Sequence, residues 1–369
     1  MMGPGPSNAY PRVLNAMALP LLGHLHVPFL KIMDECQTGL RHVFQTEGTH
    51  VLLGSGTGHF GMEMTLFNLL ERGDAMVVGV NGLWGQRVAD IGRRLGCVVT
   101  EIQPQGGRLT FTPAEVEAAV KAAGAKVFFV CQGESSTGAH QSMAGLSDAV
   151  RRGNPDGLLL VDTVCSLGGV PLEVDAWGVD AVYSGSQKCL SGPPGAAPVF
   201  FSDRAMAAIE RRATPVASFN MDARLVGDYW GWYGKRSYHH TGSVSVFYAM
   251  REALSLVSGE GMHASWARHQ AMHERLWDGL TGLGLSPYVK DAGERLCTVN
   301  TIDVPEGVDF AAAVKHCMDE AGVEIAGGLG PSAGKAWRVG VMGANANPMC
   351  VDAVVSALGN ALKAQGWSK

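Results

Sequence analysis

Between about residue 49 and about residue 205, apolar residues fall in short, unbroken runs: Val51-Leu52-Leu53, Ala75 to Val80, Cys97-Val98-Val99, Lys126 to Val130, Leu158 to Val161, Ala181-Val182-Tyr183 and Pro198 to Phe201. Most do not alternate with polar residues, which is the pattern of strands covered on both faces. Between several of them the apolar positions take helical spacing, over His59 to Leu70, Trp84 to Leu95, Pro113 to Ala122 and Ala144 to Arg152. Thr112-Pro113-Ala114-Glu115 is a helix start, a capping hydroxyl followed by proline in the first turn. Repeated βα units predict an α/β fold with a mostly parallel central sheet between helices. Ligands then bind at the C-terminal ends of the strands.

Beyond about residue 243 the pattern changes. A long helical region runs from Ser243 to Leu280, broken near Gly259-Glu260-Gly261. A strand over Thr298 to Ile302, a helix over Asp309 to Ala321, a strand over Trp337 to Gly340 and a final helix over Pro348 to Ala364 follow. This predicts a large domain over residues 21–258 and a smaller C-terminal α+β domain over 259–369, preceded by an N-terminal segment, residues 1–20.

The 369 residues are 46% hydrophobic with a formal net charge of −5. That balance gives no electrostatic footprint for nucleic acid or an anionic membrane. No apolar run reaches the roughly 18 residues of a membrane span. Met1 to Asn8 lacks a basic region leading into an apolar one, so no signal peptide is expected. The eight cysteines are scattered without a C-x-x-C pair, which predicts a reducing, cytoplasmic location and no disulfide framework. The chain ends Trp367-Ser368-Lys369, one residue short of a Ser-Lys-Leu address, so peroxisomes are not expected.

The candidate chemistry sits at strand ends. Asp162 closes one apolar run, and Lys188 follows another within Tyr183-Ser184-Gly185-Ser186-Gln187-Lys188. A lysine amine can capture the aldehyde of pyridoxal phosphate, and a carboxylate can keep its ring nitrogen protonated. Gly54 to Gly61 follows a strand and opens a helix, which suits a phosphate. Gly56-Thr57-Gly58-His59-Phe60-Gly61 also fits the dinucleotide fingerprint, but the next strand ends Gly79-Val80-Asn81-Gly82 without the acid that would hold a ribose. A nicotinamide-dependent dehydrogenase is thereby disfavoured. Trp84 could stack on a flat ring or simply pack. Glu134-Ser135-Ser136-Thr137-Gly138 could bind a ligand oxygen or form a turn. Arg338, inside an apolar strand, must be paired, either with a substrate carboxylate or with an internal acid. His269 and His273 have the i, i+4 spacing of a metal pair but lack a metalloprotease glutamate, and His239, His240, His24 and His26 offer no ligand set, so no metal is expected.

Several segments together carry a resemblance: Gly3-Pro4-Gly5-Pro6-Ser7-Asn8, Val43-Phe44-Gln45-Thr46, Ser55 to His59, Asn81 to Arg87, Gly133 to Gly138, Val161 to Gly169, Ser184 to Lys188, Tyr238-His239-His240-Thr241 and Gly327 to Ser332. The chain resembles the class V, fold type I pyridoxal-phosphate-dependent aminotransferases, within them the alanine–glyoxylate and next the serine–glyoxylate enzymes. The resemblance implies that Lys188 carries the cofactor and shuttles protons, Asp162 pairs with the ring nitrogen, Trp84 stacks on the ring and Ser135 bonds near its oxygen side. Thr57, Gly58, His59 and Gln187 would hold the phosphate, completed by Tyr238 and Thr241 from the second subunit of a homodimer. Arg338 would bind the substrate carboxylate, with Gly5 and Ser166 at the substrate site and the N-terminal segment at its mouth. Thr57 stands where animal enzymes carry serine, and Gly242-Ser243 where they carry apolar residues; the latter bears on donor preference. The implied reaction is ping-pong transfer of an amino group from alanine or serine to glyoxylate. Same-fold transaminases of 3-hydroxykynurenine, 2-aminoethylphosphonate or pyridoxamine and pyruvate, and a lyase or desulfurase using Cys189, are the alternatives.

Overall fold

In the computed structural model, which describes residues 1–367, the apolar runs of the first half become one seven-stranded sheet. Ser368 and Lys369, on which the reading of the chain's end rests, lie outside the described residues. Strands β1 (Val51–Ser55), β2 (Ala75–Gly79), β3 (Val98–Ile102) and β4 (Val127–Cys131) are followed by a small hairpin, β5 (Gly133–Glu134) with β6 (Ala139–His140). Strands β7 (Leu158–Asp162), β8 (Ala181–Tyr183) and β9 (Ala196–Phe201) complete the sheet, in the order β1-β9-β8-β7-β4-β2-β3. β4, β7, β8 and β9 are buried along their whole length, as their unbroken apolar runs require. β3 is one edge, opposite β1, and there polar Thr100 and Glu101 interrupt the run.

The ladder from β3 to β8 is parallel, but β9 pairs antiparallel with β8, and β1 antiparallel with β9. Residues 184–195 connect β8 to β9 without a helix, and parallel neighbours need a longer crossover. This edge also removes the dinucleotide reading. The fingerprint follows β1, which lies antiparallel at the sheet's margin rather than at the centre of a parallel βαβ unit.

Helices cover both faces. The helix Pro113–Ala123 starts with the expected cap, a reciprocal box between Thr112 and Glu115, a device worth about 1 kcal/mol. The long helical region splits at Gly261 into Val244–Glu260 and Met262–Gly282. An additional helix, Val27–Phe44, packs on Val244–Glu260 through Phe29, Met33, Cys36, Leu40 and Val43.

The second half forms a three-stranded antiparallel sheet of β10 (Val299–Asp303), β11 (Ala326–Gly327) and β12 (Ala336–Gly340), with β12 central. Helices Phe310–Ala321 and Pro348–Ala364 pack together beside it over a separate apolar core that includes Leu276, Trp337, Val339 and Leu358. The N-terminal segment crosses to this core. Met2 is buried in it, its amide bonds Glu324 O at 2.7 Å, and Gly340 N returns a bond to Met2 O. Five residues on, the Ser7 amide bonds Gln187 O and its hydroxyl bonds Lys188 O. All eight cysteines are free and seven are buried. No helix among the described residues is long and apolar enough to cross a membrane.

Candidate active site

A cavity opens at the C-terminal ends of the parallel strands. Its wall includes Thr57, Gly58 and His59 after β1, Trp84 after β2, Gly133 and Ser135 after β4, Asp162 at the end of β7, and Gln187 and Lys188 after β8. The parallel topology delivers all these loops to one side.

Asp162 is 3% exposed, and both its oxygens are engaged: Val164 N donates at 2.7 Å and the Tyr183 hydroxyl at 2.6 Å. Burial pushes its pKa up to about 7, outweighing those two bonds, which favour the anion. The carboxyl thus has neutral donors and open capacity for a cationic one.

Lys188 faces the same cavity. Burial pulls its pKa down, because desolvation disfavours the charged ammonium. Its amine donates to Pro4 O at 2.5 Å. Gly5 lies against it so closely that an added Cβ would sit 2.2 Å from Nζ, at a φ of +108°; no side chain fits there.

Thr57 caps the helix Gly58–Leu69 by position only. Its side chain makes no cap bond, leaving the hydroxyl and the Gly58 and His59 amides for a ligand, while the Phe60 amide bonds Thr57 O at 2.8 Å. His59 bonds Arg87 at 2.9 Å and meets the Trp84 ring edge-on at 5.6 Å; burial first, then Arg87, lowers its pKa. Gln187 Oε1 is buried in the cavity wall without a hydrogen-bond partner. The Trp84 indole is fixed by a 2.8 Å bond from Nε1 to Ser135 Oγ.

Arg338 is 8% exposed, with Nε donating to Gly327 O at 2.7 Å and Nη1 to Ser135 O at 2.9 Å. Burial lowers its pKa. Both partners are neutral carbonyls and neither is the acid of an internal ion pair.

Five of the expected residues are not part of the cavity wall: Arg338 and Gly5, which touch its residues Ser135 and Lys188, and Ser166, Tyr238 and Thr241. Ser166 is buried with its hydroxyl committed to Gln132 Oε1 at 2.7 Å. Tyr238 is 65% exposed beside His24, and Thr241 is exposed too. The intervening His240 joins Ser55 at 3.0 Å and His239 at 2.8 Å. His269 and His273 are packing residues, bonded to Ser265 O and Gly343 N and to Asn300 Oδ1, respectively. Among the described residues no His, Cys, Asp and Glu side chains gather as a metal set.

Sequence reasoning missed Met62, Val164 and Cys165 in the wall and Tyr183 as the donor to Asp162. Val164 and Cys165 directly follow Asp162, so the strand end itself was the available signal. Cys189 is buried, its thiol held far from ionisation by burial.

Residues 7–342 match the family model for class-V aminotransferases. The chain is 45% identical over 365 residues to alanine--glyoxylate aminotransferase of Drosophila melanogaster, covering 98% of this chain and 92% of the relative. The crystal structure of alanine--glyoxylate aminotransferase from Nostoc sp. matches with a TM-score of 0.94 at 44% identity, over 98% of this chain and 94% of that one. Ureidoglycine-glyoxylate aminotransferase from Bacillus subtilis matches with a TM-score of 0.93 at 32% identity, over 99% and 93%. With a lysine and a buried carboxyl meeting across one cavity at the ends of the parallel strands, and with this likeness along nearly its whole length, the chain belongs to the class-V aminotransferases.

Proposed function

We propose that this aminotransferase uses pyridoxal phosphate to move the amino group of alanine, or of serine, to glyoxylate, giving glycine and a 2-oxo acid. The observation that carries the reading is the shared cavity of Lys188 and Asp162, with its orphaned Gln187 amide. A buried carboxyl with only neutral donors suits a protonated ring nitrogen. The uncapped helix start at Thr57 suits a phosphate.

Bound there, the cofactor supplies an aldehyde for the lysine and an electron-accepting ring for charge developing at the substrate Cα. The protein's own groups do the rest. Asp162 holds the ring nitrogen's proton. Trp84 fixes the ring plane. Lys188 Nζ, whose pKa burial lowers, takes and returns the Cα proton. Arg338, held edge-on by two carbonyls, turns its remaining N–H groups to the substrate carboxylate. Gly5 leaves room beside the lysine, and the buried Ser166 hydroxyl supports the wall through Gln132.

Tyr238 and Thr241 lie on the surface, which supports a homodimer in which each serves the neighbouring subunit's phosphate site. The two larger of three apolar clusters support domains over residues 21–258 and 259–369, the third packing Cys165 and Cys189 against Leu296 and Val299 between them, with residues 1–20 serving the site's mouth. The free, buried cysteines support a cytoplasmic enzyme.

Lys188→Ala is expected to abolish the visible absorption band of the purified protein and to lower turnover by more than roughly 100-fold. An unchanged band excludes the assignment. A panel of alanine, serine and 3-hydroxykynurenine against glyoxylate and pyruvate tests the substrates; absence of glyoxylate turnover with alanine and serine overturns them.

A further inference from the structure

Glu134 is fully buried, yet it does not line the cavity. Its carboxylate accepts from Trp84 N at 3.1 Å, Ser136 N at 2.9 Å and Ser136 Oγ at 2.7 Å. Ser136 Oγ in turn accepts from Leu83 N at 2.9 Å. Leu83 and Trp84 are the first residues of the helix Leu83–Leu95, whose own capping position, Gly82, has no side chain to cap it. The missing cap therefore comes from a loop some 50 residues away in sequence. Glycine at position 82 follows from this arrangement: a Cβ there would lie 2.3 Å from Glu134 Cδ and 2.6 Å from Ser136 Oγ. A carboxylate at a helix N-terminus also gains from the helix dipole.

The same loop holds two further parts. Ser135 Oγ takes the Trp84 indole N–H, and Ser135 O takes Arg338 Nη1. Ser332 Oγ donates to Ser136 O at 2.5 Å, tying the loop to the second core. Residues 134–136 therefore form one bracket between the indole and the guanidinium.

We propose that Glu134 is a positioning residue: as a remote N-cap it sets the Trp84 indole against the cavity and, through Ser135, the reach of Arg338. The assignment rests on the cofactor reading above for its functional meaning, but its geometry can be read without cofactor. Glutamine has one acceptor where glutamate has two, so in Glu134→Gln an N–H must face either Trp84 N or Ser136 N.

The test is a double-mutant cycle with Trp84→Phe. In the cofactor-free protein, the near-ultraviolet circular dichroism of Trp84, taken as wild type minus Trp84→Phe, is expected to collapse toward that of a mobile indole in Glu134→Gln. Pyridoxal phosphate titrated into the same proteins is expected to bind roughly 10-fold to 100-fold more weakly in Glu134→Gln than in wild type. In the Trp84→Phe background the same change should cost less than about 3-fold. An unchanged indole signal, or an equal loss in both backgrounds, overturns the proposal. Failure of wild type to bind the cofactor overturns the functional reading alone, because the indole signal is still measured. If Glu134→Gln does not fold, Ser136→Ala removes the link to Leu83 and is read in the same way.

Discussion

Two helices begin at the cavity, and their first turns are treated in opposite ways. At Gly58–Leu69 the capping residue, Thr57, leaves its hydroxyl unused and the Gly58 and His59 amides open. At Leu83–Leu95 the amides are closed by Glu134 and Ser136. Both starts attract negative charge for the same physical reason. One is open, as the proposed phosphate site requires, and the other is filled by the protein's own carboxyl. A helix start next to a cavity is therefore not in itself a ligand site; what counts is whether the chain has already supplied the anion.

The contrast can be broken at several points. The largest effect is expected at Asp162, the buried carboxyl of the cavity. Asp162→Asn keeps the shape and removes the charge, and turnover should fall on the order of 100-fold or more. Its stability should move the other way. Because the folded carboxyl has a pKa of about 7 against 3.8 for an unperturbed one, the folded protein without cofactor binds more protons than the unfolded chain between those values. Stability should therefore fall by up to about 4 kcal/mol as pH rises from about 4 to about 7, and then level off. Denaturant titrations across that range should show this component of the slope lost in Asp162→Asn and reduced when cofactor is bound. A mutant profile parallel to wild type would mean that another group carries the effect.

Next comes the closed start. Gly82→Ala drives a methyl group into the Glu134 carboxylate and should destabilise the protein by about 1–3 kcal/mol, read as a lower Tm in the cofactor-free state. An unchanged Tm would mean that the bracket yields easily. The smallest effect belongs to the open start. Thr57→Val removes one hydroxyl that has no cap bond to lose, so stability should stay within about 0.5 kcal/mol. Affinity for pyridoxal phosphate should drop by roughly 10-fold. A stability loss larger than the binding loss would place Thr57 with the closed start.

Much of this was legible in the chain. Unbroken apolar runs gave the strands, and the residues just after them gave Thr57, Trp84, Ser135, Asp162 and Lys188, because a parallel sheet gathers strand ends. Local signals also marked the Thr112 cap and the break at Gly261. The helix Val27–Phe44 was passed over although Phe29, Met33, Cys36 and Leu40 repeat at helical spacing; its stop at Gln45, in the left-handed region at φ 53°, is no residue that usually signals one. The antiparallel edge could not be read because pairing direction depends on the connection, not on composition. Glu134 was grouped with turn residues, since nothing near Gly82 announces a cap arriving from a distant loop. The two carbonyls that hold Arg338 likewise belong to backbone, on which side-chain identity is silent.

The first seven residues have a mechanical consequence. They are anchored at Met2 in one core and at Ser7 on the lysine loop of the other, with the Pro4 carbonyl touching the Lys188 amine on the way. So short a tether has little slack. Any swing of one core against the other must drag it or strain it, and either way the pull arrives at the amine.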